Sequence, residues 1–247
     1  MSTLSGNTTL FYRAEGKGPL VIMLHGLLMD GKSWSDNGFV AAFSPFFKVV
    51  CPDLPGHGKS EKSDDQACYT RDNQALAIVK LMDELGYEKA HVIGYSAGTW
   101  LAQGLLETYP ERLNSVVSGG WDCLNGIPET PVGKLTFEMF IAFARETAPE
   151  LTDPLSPAGE RSAEHFFNAL REPFGAKSNT STCSTPELLW AGRHDLYYAA
   201  MVELAKKQAI PLITGEGDHL GEVNHPNNTT VAAILKFCKD HTRFESQ

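Results

Sequence analysis

The sequence contains few cysteines, and none of them is closely paired with another. The five cysteines are odd in number, scattered along 247 residues and free of any C-x-x-C pair; they are Cys51, Cys68, Cys123, Cys183 and Cys238. This pattern is typical of a reduced compartment rather than of a disulfide framework. The amino-terminal residues also lack the basic region and apolar stretch of a secretory signal. We therefore expect a cytoplasmic protein.

Positive charge is scarce as well. Lys and Arg total 21 residues against 30 Asp and Glu, which gives a formal net charge of -9. A chain without a basic surface offers little attraction to the phosphates of nucleic acids or of anionic lipids. No apolar run approaches the roughly 20 residues that a membrane-spanning helix needs. The sequence thus predicts neither a nucleic-acid partner nor membrane insertion, and it gives no sign of an oligomeric state.

Short aliphatic or β-branched runs alternate with longer segments of helical period along most of the chain. This alternation predicts an α/β fold with a mostly parallel central sheet flanked by helices, and the length fits one domain. The predicted strands are residues 19–24, 48–51, 90–94, 114–118, 187–191 and 210–214, and the predicted helices include 71–85, 97–109 and a carboxyl-terminal helix near 231–237.

One segment interrupts the alternation, and we predict it to be a helical lid. Residues 123–185 contain no convincing strand but two helical patterns, so the α/β core would comprise residues 1–122 and 186–247. The first pattern carries Phe137 and Phe140, and the second begins at 156–157 with Ser as the N-cap and Pro as the first helical residue. Several aromatic residues of the segment, Phe137, Phe140, Phe166, Phe167 and Phe174, either attach it to the core or line an apolar pocket.

The strongest local motif is the pentapeptide at residues 94–98, Gly-Tyr-Ser-Ala-Gly, which joins a predicted strand directly to a predicted helix. A G-x-S-x-G sequence in this context is typical of a nucleophile elbow, a sharp turn that exposes the serine hydroxyl above the carboxyl ends of the strands. The motif and its neighbours resemble the α/β-hydrolase superfamily, in its serine-nucleophile, esterase-like branch. The resemblance implies that Ser96 is the nucleophile.

Two further segments strengthen this resemblance. Residues 24–27, Leu-His-Gly-Leu, resemble the turn that supplies part of the oxyanion hole, which implies that the backbone N–H groups of Leu27 and Ala97 bind the oxyanion. Residues 53–60 resemble a D-x-P-G-x-G-x-S turn whose role is architectural. His25 and the histidine of this second turn, His57, are accordingly predicted to be structural.

The resemblance also implies an acid and a base in the order Ser, Asp, His. Asp195 follows the predicted strand 187–191 and is the predicted acid; Asp122, which follows the preceding strand, is the alternative. The acid fixes the tautomer of the base and stabilises its cation. The base is predicted to be His219. The alternative base is His225, whose place beside Pro226 favours instead a role at the start of the final helix.

The segment around the predicted base departs from the superfamily pattern G-H-x-x-x-x-E-x-P. Asp218 stands in place of the usual Gly and Asn224 in place of the usual Glu, while Pro226 is retained. These departures leave the local support of the histidine open.

No cofactor or metal is predicted. No G-x-G-x-x-G follows the first predicted strand, and the histidines and aspartates near the carboxyl terminus lack metal-ligand spacing. The resemblance implies a serine hydrolase that cleaves a carboxylic ester or related acyl compound, and an aromatic lid favours a small-molecule substrate with an apolar acyl group. Alternatives are a carbon–carbon bond hydrolase and a slow ligand receptor on the same fold. The predicted pocket residues are Tyr95, Trp121, Phe137 and Phe140.

Overall fold

A computed structural model describes residues 2–3, 9–131, 133–172 and 185–242. Its centre is a seven-stranded sheet in the order β11-β10-β7-β6-β4-β5-β3, in which only the edge strand β3 runs antiparallel to its neighbour. The described strands are β1 (Ser2–Thr3), β2 (Thr9–Leu10), β3 (Tyr12–Glu15), β4 (Leu20–Leu24), β5 (Lys48–Pro52), β6 (Ala90–Tyr95), β7 (Leu113–Gly119), β8 (Glu129–Thr130), β9 (Gly133–Lys134), β10 (Glu187–Gly192) and β11 (Leu212–Gly215).

Helices cover both faces of this sheet, as parallel strands require. The described α-helices are α1 (Ser33–Asp36), α2 (Phe39–Phe43), α3 (Arg71–Glu84), α4 (Ala97–Thr108), α5 (Phe137–Thr147), α6 (Pro149–Thr152), α7 (Pro157–Ala169), α8 (Tyr198–Gln208), α9 (His219–Asn224) and α10 (Asn228–Asp240). Helices α3, α4 and α8 pack on one face, and α1, α2 and α10 pack on the other. The α/β fold with a mostly parallel sheet is therefore confirmed, and all six predicted strands lie in it.

The prediction omits several elements of this fold, including β3 and α8. Strand β3 is a short edge strand whose four residues are half-buried or exposed, so it lacks the apolar run that identifies a central strand. Helix α8 buries only Met201 and Leu204, and its apolar stripe is correspondingly short. Five of the six predicted strands, in contrast, are almost wholly buried and carry the continuous apolar character of covered parallel strands.

The helical segment that follows β7 contains α5, α6 and α7. Helix α5 is capped by Thr136, whose side chain accepts from the Met139 N–H (3.3 Å), and α7 is capped by Ser156, which accepts from the Gly159 N–H (3.1 Å). The predicted start of the second helix at 156–157 is therefore confirmed. The prediction that this segment has no strand is wrong for the two-residue ladder of β8 and β9, which is too short to show an alternating pattern. Phe174 lies outside the described residues.

The helical segment packs on the loop that follows β4. Phe137, Ile141 and Phe167 form an apolar cluster with Leu28, and Phe140 packs on its edge. This contact places the segment over the carboxyl ends of the central strands. Within the described residues, no helix is both long enough and apolar enough to cross a bilayer.

Candidate active site

Ser96 lies at the turn between β6 and α4, with backbone angles that few residues other than glycine adopt. Its φ is 54° and its ψ is -120°. The turn is fixed because the Ser96 N–H donates to the Gly119 carbonyl over 2.8 Å. It is also crowded, since a Cβ on Gly98 would overlap with the Leu24 carbonyl oxygen. Strained backbone held by its surroundings is a common feature of functional sites.

His219 and Asp195 form a hydrogen-bonded chain with this serine. His219 Nε2 lies 3.1 Å from Ser96 Oγ, and His219 Nδ1 lies 2.9 Å from Asp195 Oδ2. An ionised carboxylate only accepts hydrogen bonds, so Nδ1 carries the proton and Nε2 is free to accept from the serine hydroxyl. The Asp195 side chain is fully buried, whereas 23% of the His219 side chain is exposed. The imidazole of His219 is thus open to a ligand, while the carboxylate of Asp195 is shielded from water.

The carboxylates of the two candidate acids, Asp195 and Asp122, have different hydrogen-bond partners. Asp195 Oδ1 accepts from the Tyr197 N–H over 2.9 Å, which leaves Oδ2 directed at His219. Asp122 instead accepts from the N–H groups of Leu124 (2.8 Å) and Asn125 (2.9 Å) and thereby closes the turn at the start of the helical segment. The structure therefore places Asp195, and not Asp122, beside the histidine.

Asp218, which stands where the superfamily pattern has glycine, has a local structural role. His219 is the first residue of α9, and the Asp218 side chain caps that helix by accepting from the Gly221 N–H over 2.7 Å. The prediction that His225 begins the final helix is wrong: His225 follows the last residue of α9, and Asn227 caps α10. A short helix of six residues has too little period to be recognised from sequence.

The loop after β4 brings a second group of backbone donors to Ser96. Strands β4 and β6 are adjacent, and a Cβ on Gly26 would lie 3.4 Å from Ser96 Cβ, so the loop after β4 approaches the serine. Ala97 is the first residue of α4, where N–H groups have no partner within the helix. Next to Leu27, the Leu28 N–H is already used, because it donates to His57 Nε2 over 3.2 Å. Leu28 itself has a φ of 66°.

Two buried neutral histidines hold this loop. His25 Nε2 accepts from the Leu54 N–H over 2.9 Å, and His57 Nδ1 lies 3.0 Å from the Pro55 carbonyl. Burial lowers the pKa of His25 to about 4 and that of His57 to about 3, because it penalises the charged imidazolium. Both rings therefore act as neutral acceptors of backbone N–H groups near neutral pH. The link from His57 to Leu28 joins separate turns and was not evident in the sequence.

Tyr95 does not lie where the sequence predicted. Its side chain is 1% exposed, and its hydroxyl donates to the His219 carbonyl over 2.8 Å while lying 3.3 Å from Asp195 Oδ2. Burial, and secondarily the charge of Asp195, raises the pKa of the Tyr95 phenol well above its usual value. Tyr95 thus contacts the His219 backbone and the Asp195 carboxylate from within the core. A role in lining the substrate pocket does not fit this buried position.

The other predicted pocket residues lie around the same end of the sheet. Trp121 is 2% exposed and packs on Tyr197 with ring centroids 5.4 Å apart. Tyr197 in turn packs edge-on against His219 at 5.5 Å. In the helical segment, Phe140 stacks on Phe167 at 5.3 Å. Among residues 9–131, 133–172 and 185–242, no three His, Cys, Asp or Glu side chains form a group that could hold a metal ion.

Comparison with known proteins agrees with this architecture. Residues 19–141 match a family model described as alpha/beta hydrolase fold. A zearalenone hydrolase from Cladophialophora bantiana is 26% identical over 251 residues, which cover 94% of this chain and 92% of that protein. A 2-hydroxy-6-oxo-6-phenylhexa-2,4-dienoate hydrolase from Comamonas testosteroni is 32% identical over 152 residues, 58% of this chain and 51% of that protein. The crystal structure of an enol-lactonase from Burkholderia xenovorans LB400 has a TM-score of 0.76 and 22% identity, with coverage of 97% and 98%.

Proposed function

Because the chain belongs to the alpha/beta hydrolase fold superfamily, we propose that it is a serine hydrolase that cleaves a carboxylic ester or a related acyl compound. The observation that carries this proposal is the hydrogen-bonded chain from Ser96 Oγ through His219 to Asp195. A serine hydroxyl is a weak nucleophile until a positioned base removes its proton, and this chain supplies both the base and the acid that orients it.

In the proposed mechanism, His219 Nε2 takes the hydroxyl proton as Ser96 Oγ attacks the carbonyl carbon. The buried carboxylate of Asp195 stabilises the imidazolium that forms. When the tetrahedral intermediate collapses, the bond to the leaving oxygen breaks and His219 returns the proton to it. Water then repeats the sequence on the acyl-enzyme, which releases a carboxylic acid and restores Ser96.

The negative oxygen of the intermediate would be held by the backbone N–H groups of Leu27 and Ala97. Support for this assignment comes from their placement at the ends of adjacent strands and from the fixed conformation of the loop beside Leu27. Preorganised donors aimed at a developing charge contribute strongly in a site shielded from water.

The surroundings favour an uncharged substrate with an apolar acyl group. The apolar cluster of Phe137, Phe140 and Phe167 packs against the loop after β4 and would form a lid. Burying a charged acyl group against these rings would carry a large desolvation cost.

A carbon–carbon bond hydrolase is a second candidate, since the relative from Comamonas testosteroni is named for a dienoate substrate. A dienoate carries a carboxylate, which is costlier to bury against the apolar cluster than a neutral ester. A lactone, an internal ester, fits the first candidate, and the similar fold of an enol-lactonase is compatible with it.

The proposed function is tested with purified protein and p-nitrophenyl esters of increasing chain length. The wild type and Ser96→Ala are compared for turnover and for the mass shift produced by a fluorophosphonate probe. We expect hydrolysis and one adduct per chain, both lost in Ser96→Ala. Absence of an adduct on the folded wild type would overturn the proposal, and cleavage of a dienoate in preference to all esters would favour the second candidate.

A further inference from the structure

The loop that carries His219 is supported by a residue outside the superfamily pattern. The glutamate usually found two residues before the proline is Asn224 here. Glu222, one turn into α9, is instead buried beneath the loop, with 3% of its surface exposed. A carboxylate so far from water needs hydrogen-bond donors around it.

Both oxygens of Glu222 are used, and each has its own donor. Oε1 accepts from the indole Nε1–H of Trp190 over 2.8 Å, and Oε2 accepts from the backbone N–H of Gly217 over 3.0 Å. Neither donor can also act as an acceptor. The position therefore requires a side chain that offers two acceptor atoms at this depth, which a carboxylate does and an amide does not.

The backbone is shaped around this carboxylate. A Cβ on Gly215, the last residue of β11, would overlap with both carboxylate oxygens. A Cβ on Gly217 would lie 2.5 Å from the Glu222 backbone nitrogen. Close approach of this kind explains why glycine stands at both positions on either side of Glu216.

The two donors connect Glu222 to both halves of the candidate site. Gly217 lies two residues before His219, and its carbonyl accepts from the His194 N–H over 3.1 Å, next to Asp195. The Trp190 ring packs on Tyr95 at 4.9 Å, and the Tyr95 ring packs on His219 at 5.4 Å.

We propose that Glu222 is a positioning residue, which fixes His219 relative to Ser96 through the Gly217 turn and through the Trp190 ring. This proposal rests on the proposed function, since it assigns a role in the same reaction. The carboxylate takes no part in bond making, because its two oxygens are occupied by Trp190 and Gly217. Its effect is on the geometry of proton transfer from Ser96 to His219.

The variant Glu222→Gln tests the requirement for two acceptors. The amide would place its NH₂ group against either the Trp190 or the Gly217 donor, so the turn would shift. We expect kcat to fall about 10- to 100-fold with KM changed less than about threefold, since small displacements of catalytic groups cost this much. The rate of fluorophosphonate labelling should fall in parallel, while the final adduct remains one per chain.

Trp190→Phe tests whether the effect of Glu222→Gln arises from the contact with the Trp190 indole N–H. It removes the indole donor, so in the double variant the NH₂ group of the introduced amide no longer faces a donor and the amide oxygen can accept from Gly217. The loss caused by Glu222→Gln should therefore be smaller in the Trp190→Phe background than in the wild type. Equal losses in both backgrounds would overturn the proposed arrangement.

Glu187→Gln is the matched control, because Glu187 is a half-buried, hydrogen-bonded carboxylate at the opposite end of β10 from the loop beside Asp195. It accepts from Gln103 and Ser118 and contacts neither His219 nor its loop. This variant should lose stability but retain kcat. Comparison at equal folded fraction, from thermal unfolding, separates positioning from a general loss of structure.

The outcomes distinguish the two proposals. If the wild type itself is not labelled at Ser96, the proposed function fails. If the wild type is labelled and folded Glu222→Gln retains its kcat, the positioning role fails alone. If Glu222→Gln does not fold, Glu222→Asp is tested instead. Aspartate keeps both acceptor oxygens, but its side chain is one methylene shorter, so the oxygens lie farther from Trp190 and Gly217. An unchanged kcat in Glu222→Asp would also overturn the positioning role.

Discussion

The hydroxyl of Tyr95 donates to the backbone carbonyl of His219 over 2.8 Å, so the residue before the candidate nucleophile holds the backbone of the candidate base. The two residues are 124 positions apart in the chain. The contact ties the turn after β6 to the start of α9. It keeps the imidazole within reach of Ser96 without using either of its ring nitrogens.

Tyr95→Phe removes this hydrogen bond while retaining the ring that packs on Trp190. A net hydrogen bond contributes about 0.5–1.5 kcal/mol, so we expect kcat to fall about 2- to 10-fold through looser placement of His219. KM should change little. Steady-state kinetics with a short p-nitrophenyl ester measure the effect. Tyr87→Phe, which removes a hydroxyl bound to the Gly18 carbonyl at the surface, should leave kcat unchanged.

The two candidate acids can be separated by paired asparagine variants. Asp195→Asn leaves an amide beside His219 Nδ1, which disfavours the tautomer that accepts from Ser96, so kcat should fall by about 10³- to 10⁴-fold. Asp122→Asn retains an acceptor for the turn at Leu124 and should keep kcat within about threefold of the wild type. Thermal unfolding of both variants checks that they fold. The reverse order of the two losses would identify Asp122 as the acid.

The parts of this molecule that the sequence predicted are those whose constraints are local. The turn at residues 94–98 can be recognised from local sequence alone, because its glycines, the strand before it and the helix after it are contiguous. The placement of Ser96 at the turn between β6 and α4 was predictable for this reason. Asp195 and His219 followed from the resemblance, since each stands at the end of a predicted strand in the expected order.

The parts that escaped prediction depend on contacts between distant residues. Glu222 lies in a segment that reads as loop, and its importance arises from Trp190, 32 residues earlier. His57 looks like a turn residue until the structure places its ring beside the Leu28 N–H. Tyr95 was assigned to the pocket, but it precedes the candidate nucleophile, and side chains of adjacent residues can point to opposite sides. For each of these three residues, the role depends on tertiary contacts that the local sequence does not contain.

Buried histidines should make the fold sensitive to acid. Burial lowers the pKa values of His25, His57 and His91 to about 4, 3 and 4. Their ordinary value is 6.5, so between these limits the unfolded chain binds more protons than the folded one, and the free energy of unfolding decreases as pH falls. Each histidine contributes a slope of up to about 1.4 kcal/mol per pH unit below about pH 6.5. The contribution is fully present above that pH.

Urea unfolding at about pH 7.5, 6.5, 5.5 and 5.0 measures this dependence. His91→Gln offers a variant remote from the loop after β4, since His91 contacts Ser115 and Thr242. Between about pH 6.5 and 5.0, the free energy of unfolding should decrease less steeply with falling pH in this variant than in the wild type. The comparison is made after the constant loss of stability caused by the substitution has been subtracted. A free energy of unfolding that is level across the whole range in the wild type would contradict the expectation.

The aromatic face of α5 allows the proposed lid to be tested with two residues of the same helix. Phe140 is partly buried and stacks on Phe167, in the cluster that contacts Leu28, whereas Phe143 is 64% exposed. If this cluster forms the acyl pocket, Phe140→Ala should weaken the binding of long acyl chains, because each buried CH₂ contributes about 0.8 kcal/mol. The value of kcat/KM for p-nitrophenyl octanoate should fall about 10-fold while that for the acetate changes little. Phe143→Ala should alter neither. Equal losses for both esters in Phe140→Ala would show that the ring stabilises the fold without contacting the acyl group, and would place the pocket elsewhere.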